Sequence, residues 1–280
     1  MNILVVAKQN AAGLQAARKL EKLLRDEKGI KLLFDQSTAR KLRRFRDLGT
    51  SVKGFAGDMI ITLGGDGTFL WTAYQAKVPV LPVKLEGYGF LCTTDFKNLT
   101  KNINKILHYE FTIQERLRLK CSRVKKRLVD RVFHTEFPLC LNEIAFARKR
   151  PSKILKSKFI IDKTEFDFWG DGILFSTPSG STAYATSAGG SMIDPNLDVI
   201  HIVPLYPFHS RIKPMVIPAN KKIEVKITQG ECALIVDGHS GDYIKEGSEF
   251  TIEKGDPMKV VILDEFNFYQ KFKNTYFQHS

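Results

Sequence analysis

Residues 64–68 read GGDGT, three glycines around one aspartate, directly after the apolar run MIITL at 59–63. Gly64, Gly65 and Gly67 let backbone N–H groups approach a phosphate closely, and a helix starting there adds partial positive charge. Asp66 does not fit that picture alone, because a carboxylate facing phosphates repels them unless it has another task. It can hold Mg²⁺, or it can take a proton from an attacking hydroxyl. The stretch lacks the G-K-[ST] ending of a P-loop and the G-x-G-x-x-G of a dinucleotide fingerprint. A structural Gly-Asp-Gly turn is the plainer alternative.

Two further stretches carry chemistry-bearing side chains. GDGILFSTPSGSTAYATSAGG, at 170–190, is dense in small and hydroxylated residues. Small side chains let a ligand lie against backbone, and Ser179, Ser181, Thr182 and Tyr184 supply hydrogen bonds or a stacking ring. Any four of them also suit a tight turn leading into a Ser- or Thr-capped helix. Asn142 and Glu143 interrupt the apolar LCLNEIAFA. Either they alternate outward from a half-buried strand, or an amide beside a carboxylate reads a ribose diol or an adenine edge.

The elements that must position these residues fall into two halves. Up to about Leu107, short apolar runs (ILVVA, IKLLF, MIITL, VPVLPV) alternate with helical patterns, the first of which puts Ala17, Leu20 and Leu24 on one face. Such alternation predicts a parallel sheet covered by helices on both faces. MIITL is then a buried strand, GGDGT lies at its carboxyl end, where open α/β sheets bind ligands, and TFLWTAYQA is the helix that follows. From about Phe111, β-rich runs take over: LCLNEIAFA, SKFIID, GILFST, LDVIHIV, KIEVKI, CALIVDG, EFTIE and KVVIL. The tract beginning at Ser179 is the one helical candidate among them. No internal repeat or long Gly/Ser linker divides the halves.

Composition narrows the class. The 280 residues are 43% hydrophobic, enough for one large domain or two ordinary ones. MNILVVAKQN already looks like a first strand, and no apolar run approaches a membrane span, so a soluble cytoplasmic protein is expected. Cys92, Cys121, Cys140 and Cys232 lack metal-ligand spacing and are expected as buried reduced thiols. The net charge of +13 is concentrated at Arg40, Lys41, Arg43, Arg44 and Arg46, at RVKKR (123–127) and at RKRPSK (148–153). Such clusters are either solvated surface or a field that gathers an anionic substrate. Nucleic acid is not expected, since no recognised binding signature is present.

GGDGTFL, LNE and STPSGSTAY, in that order and running on into TSAGG, closely resemble the motifs of the NAD kinase family. The later LDVIHIVPLYPFHSRIKPMVIP and VDGH extend the likeness over most of the chain. The resemblance implies an α/β plus all-β fold: a Rossmann-like domain at 1–110, completed by 256–280, and a β-rich, sandwich-like NAD-binding domain at 111–255, with a cleft between them. It implies transfer of a phosphoryl group from ATP or polyphosphate to the 2′-hydroxyl of the adenosine ribose of NAD, giving NADP, with a divalent metal, Mg²⁺, on the phosphates. By the same likeness Asp66 is the general base and Gly65 and Gly67 flank it in the nucleotide site. Asn142 and Glu143 contact NAD, Thr182, Ala183, Tyr184 and Ser187 line its pocket, and Asp171, His239 and Lys153 are further ligand positions. No protein metal ligands are assigned. A homodimer or homotetramer is implied, and the aromatic tail EFNFYQKFKNTYF is expected to pack on the first domain.

Some positions depart from the family pattern. Where NAD kinases usually carry VNLGxLGFL, this chain has VKLEGYGFL, with Lys84 and Glu86 at the altered places and Gly89, Phe90 and Leu91 retained. His239 stands where Gln is frequent, and Trp169 falls near a position that is often basic. Two other classes share part of the pattern: a lipid kinase, which keeps GGDGT but needs a more apolar pocket, and a non-catalytic dinucleotide-binding protein, whose binding survives Asp66→Asn.

Overall fold

The computed structural model describes residues 1–42, 49–87, 89–126, 132–208 and 212–277. The chain divides into two compact units, Met1–Glu115 with Met258–Ser280, and Arg116–Pro257. It passes from one to the other inside the strands Thr112–Lys126 and Glu249–Ile262.

In the first unit, parallel strands lie in the spatial order Gly49–Thr50, Lys31–Asp35, Asn2–Ala7, Met59–Gly64 and Val80–Lys84. The central strands Asn2–Ala7, Met59–Gly64 and Val80–Lys84 are buried on both faces over most of their length, as a helix-covered parallel sheet requires; every residue of Met59–Gly64 is buried. The helix Ala11–Leu24 starts where the Asn10 side chain accepts the Gly13 N–H, and it buries Ala17, Leu20 and Leu24, the face its periodicity predicts. The strand order reverses between Asn2–Ala7 and Met59–Gly64, so the carboxyl ends of these two strands form a topological switch point. GGDGT begins there. The helix after it spans Asp66–Ala73, earlier than the TFLWTAYQA run suggests, so Asp66 occupies the first helical turn with Gly65 as its cap. The chain end supplies a last helix, Phe268–Tyr276, to this same unit.

The second unit holds a six-stranded antiparallel sheet, ordered Met215–Pro218, Val199–Leu205, Gly172–Ser176, Glu143–Arg148, Cys232–Val236 and His239–Ile244. Thr164–Gly170, Leu155–Ile161, Ile223–Gln229 and the start of Glu249–Ile262 form a second antiparallel set. Alternating inward residues build the core, where the Phe146 ring stands edge-on to Phe175 at 6.2 Å and Phe250 at 5.0 Å. EFTIE and KVVIL, which read as two runs, belong to the single strand Glu249–Ile262. Thr112–Lys126 was hidden by its charges: Arg116 and Arg118 are buried, and Arg118 donates from Nε to the Asp256 carbonyl at 2.7 Å. All four cysteines are buried free thiols.

Candidate functional site

At the end of Met59–Gly64 the backbone turns tightly. A Cβ on Gly64 would lie 2.3 Å from Thr68 Oγ1, whereas Gly65 and Gly67 face open space with no atom within 4 Å of an added Cβ. Those two glycines leave room for a ligand to approach the start of the helix. Asp66 Oδ2 accepts the Phe90 N–H at 2.7 Å and Oδ1 accepts the Leu91 N–H at 2.8 Å. The carboxylate is thus oriented by two backbone donors and keeps spare lone pairs on each oxygen. The Cys92 thiol lies 3.8 Å from Oδ1, and burial together with the Asp66 charge pushes that thiol up to about 12, which keeps it protonated. A cleft of about 390 Å³ in this unit is lined by Lys84, Gly89, Cys92, Thr93, Asn98 and Lys271, among others.

In the second unit, Asn142 and Glu143 both turn inward and are buried, 6% and 7% exposed, rather than alternating to solvent. Asn142 Oδ1 and Glu143 Oε2 have no hydrogen-bond partner. Two adjacent orphaned acceptors in a buried place are costly and call for donors such as ligand hydroxyls or an amino group. Desolvation, helped by the charge of Asp237, raises the Glu143 carboxyl to about 7, against the lowering effect of the Tyr184 N–H. Sequence reading gave Asp237 no role of its own. Its buried carboxylate accepts the N–H groups of Leu141 and Asn142 at 2.7 Å and of Glu143 at 3.1 Å, which pins the backbone of the pair. The signal for it is the Asp-Gly of VDGH: Asp237 and Gly238 both take positive φ, 49° and 77°, in a tight turn.

The small-residue tract forms a 3₁₀ turn at Ser179–Thr182 and a short helix at Tyr184–Ser187. Gly180 packs so closely that a Cβ would meet the Asn142 carbonyl oxygen at 2.1 Å. Ser181 is occupied internally, its Oγ donating to the Pro178 carbonyl at 2.7 Å and accepting the Ile193 N–H at 3.0 Å. Thr182 and Ala183 are half-buried, and Tyr184 and Ser187 are exposed. The Tyr184 N–H donates to Glu143, so this helix start meets the buried pair directly. His239 joins the same end of the sheet, opposite Val236, which in turn pairs with Ile144.

Asp171 and Lys153 are placed elsewhere. Ser176 pairs with Glu143 at one end of the sheet and Gly172 with Ala147 toward the other, so Asp171 lies roughly 16 Å along the strand from the Asn142–Glu143 end. It forms an ion pair with Arg148 at 2.9 Å. Lys153 is exposed in the turn after Arg150. Of the basic clusters, Arg43, Arg44, Arg46 and Arg127 lie outside the described residues; Arg40 and Lys41 are exposed, and Lys149 stands over the Tyr243 ring at 3.9 Å.

The family model of the ATP-NAD kinase N-terminal domain matches residues 3–111, and that of the ATP-NAD kinase C-terminal domain matches residues 141–263. The chain belongs to the NAD kinase family. The NAD kinase of Methanothermobacter thermautotrophicus is 29% identical over 98% of this chain and 95% of that protein. That of Thermococcus kodakarensis is 34% identical over 80% of each. Among solved structures, an NAD kinase from Archaeoglobus fulgidus in complex with ATP superposes with a TM-score of 0.71 at 25% identity, covering 99% of this chain and 97% of that one. Yeast NADH kinase complexed with NADH gives a TM-score of 0.87 over 100% of this chain and 89% of that one; at 23% identity it supports the fold.

Within this NAD kinase frame, Lys84 ends the strand beside Gly64 and its alkyl chain lies against Gly89, where an added Cβ would stand 2.8 Å from Lys84 Cγ. The Lys84 side chain thus packs on a glycine at φ 51°. Among the described residues no group of three His, Cys, Asp or Glu is placed to hold a metal ion. Among the described residues no helix is long and apolar enough to cross a membrane.

Proposed function

We propose that this member of the family phosphorylates the 2′-hydroxyl of the adenosine ribose of NAD, using ATP or polyphosphate, to give NADP. The observation that carries the reading is the buried, unpartnered pair Asn142 Oδ1 and Glu143 Oε2, two acceptors on a backbone that Asp237 pins and suited to hydroxyl or amino donors of a nucleoside. Thr182, Ala183, Tyr184, Ser187 and His239 border the same end of the sheet and complete the NAD pocket, Tyr184 offering a ring to a planar base. Asp171 and Lys153, at the far end, are ligand positions only by family likeness.

Asp66 takes the proton from the 2′-hydroxyl as its oxygen attacks the terminal phosphorus; the bond from that phosphorus to the bridging oxygen breaks, and the shortened donor leaves with the electron pair. Phe90 and Leu91 hold the carboxylate in one orientation, so a single geometry is presented to the hydroxyl. Gly65 and Gly67 leave room for the donor's phosphates. A divalent ion, Mg²⁺, would be held by those phosphates and would offset the negative charge gathered there. The excess of basic residues favours encounter with two anionic substrates. Assembly as a homodimer or homotetramer and a cytoplasmic setting belong to the same reading, the former open to sedimentation analysis. The test is NADP formation from NAD with Mg-ATP or polyphosphate, read by an NADP-specific dehydrogenase; no product with either donor removes the reading.

A further inference from the structure

Asp66 is aimed by groups outside its own helix. The N–H groups of Phe90 and Leu91, on its two oxygens, come from one short loop. That loop turns through Gly89 at φ 51° and closes with the Cys92 N–H on the Gly89 carbonyl at 3.3 Å. Peptide donors orient a carboxylate only as firmly as their own loop is held.

The last helix, Phe268–Tyr276, holds it. Lys271 Nζ donates to the Cys92 carbonyl, a contact spanning 179 residues of sequence. The Phe90 ring meets Phe268 edge-on at 5.8 Å and Tyr276 at 6.4 Å, and the Lys271 ammonium lies 5.8 Å from its centroid. One helix therefore grips both the backbone and the aromatic side chain of the segment that aims Asp66.

We propose that Lys271 is a positioning residue for Asp66: its ammonium tethers the Cys92 carbonyl and so fixes the Phe90 and Leu91 N–H groups that orient the carboxylate. This rests on the reading of Asp66 as the acceptor of the ribose proton. In this proposal Lys271 acts through the Cys92 carbonyl and its loop rather than on a reacting atom. Its contribution lies in holding the acceptor within the fraction of an ångström that proton transfer tolerates.

The experiment compares Lys271→Ala, Lys271→Arg and, as an exposed control on the same helix, Lys273→Ala. Lys271→Ala is expected to lower kcat about ten- to a hundredfold, and to leave KM for NAD within about twofold. Lys271→Arg, which restores a cationic donor, recovers most of the rate, and Lys273→Ala changes nothing. In an Asp66→Asn background Lys271→Ala adds no further loss, because both substitutions remove the same aligned acceptor. A Lys271→Ala enzyme that keeps its kcat and loses only Tm overturns the proposal, as does a loss that multiplies with Asp66→Asn. Should Lys271→Ala fail to fold, Lys271→Met, which keeps the chain's length, is read in the same way. Amide exchange at Phe90 and Leu91 supplies a readout without turnover: faster exchange in Lys271→Ala supports the tether, and unchanged exchange refutes it. A wild type that makes no NADP while showing faster exchange in the variant would sink the assigned reaction and leave the tether standing.

Discussion

Asp237 lies beneath Glu143 and acts on it twice: Oδ1 accepts the Glu143 N–H at 3.1 Å, and the Asp237 charge adds to burial in raising the Glu143 carboxyl. The same aspartate accepts from Leu141 and Asn142, so the turn at 237–238 fixes the backbone on which the NAD contacts are proposed to sit.

Replacing that aspartate should separate backbone support from charge. Asp237→Ala leaves three N–H groups without their acceptor, at a cost of about 2–4 kcal/mol, and weakens NAD binding. Asp237→Asn suits the positive φ and retains one acceptor oxygen, so its loss of Tm should be smaller. Calorimetry of both variants with NAD titration measures the difference; equal and negligible losses would show that the carboxylate does not support the pair.

Glu143 gives stability a defined pH dependence. Its carboxyl is raised from an ordinary value near 4.5 to about 7 in the fold. Between those values the folded protein holds a proton that the unfolded chain has released, so this group's contribution to stability falls as pH rises through the window. Glu143→Gln should therefore flatten the Tm–pH profile and stabilise the ligand-free protein above neutral pH, by on the order of 1–3 kcal/mol. NAD affinity should drop in the same variant.

Two glycines should behave in opposite ways. An alanine methyl at Gly180 meets the Asn142 backbone at 2.1 Å, so Gly180→Ala shifts the buried pair, costs roughly 1–3 kcal/mol of overpacking and impairs NAD binding. Gly67→Ala meets no atom and lies in a helix, so the fold should keep or gain up to about 1 kcal/mol. Its cost should appear as a raised KM for the phosphoryl donor, because the methyl occupies the space left for phosphate. Thermal melts with donor kinetics on both variants check the contrast.

Much of the fold is legible in local pattern. Apolar runs bounded by Gly and Asp mark the parallel strands, and the 3.6-residue spacing of Ala17, Leu20 and Leu24 marks the first helix. Thr112–Lys126 is not legible, because Arg116 and Arg118 are buried by partners far along the chain. The site divides similarly. GGDGT, Asn142-Glu143 and SGSTAY stand out by residue type, but the inward turn of Asn142 and Glu143 depends on Asp237, nearly a hundred residues away. The hold of Lys271 on the loop beside Asp66 is likewise long-range, and neither spacing nor composition announces such a contact.

The central claim, that Asp66 is the group through which this chain phosphorylates NAD, is tested most directly by phosphorus NMR of the product made from NAD and Mg-ATP or polyphosphate. Wild type and Asp66→Asn are compared, with NAD affinity and Tm measured on both. The account predicts a ribose 2′-phosphate from wild type and a loss of about 10²-fold or more in Asp66→Asn, with the variant still folded and binding NAD. A variant that turns over as wild type does, or a wild type whose product carries no 2′-phosphate with either donor, would contradict it.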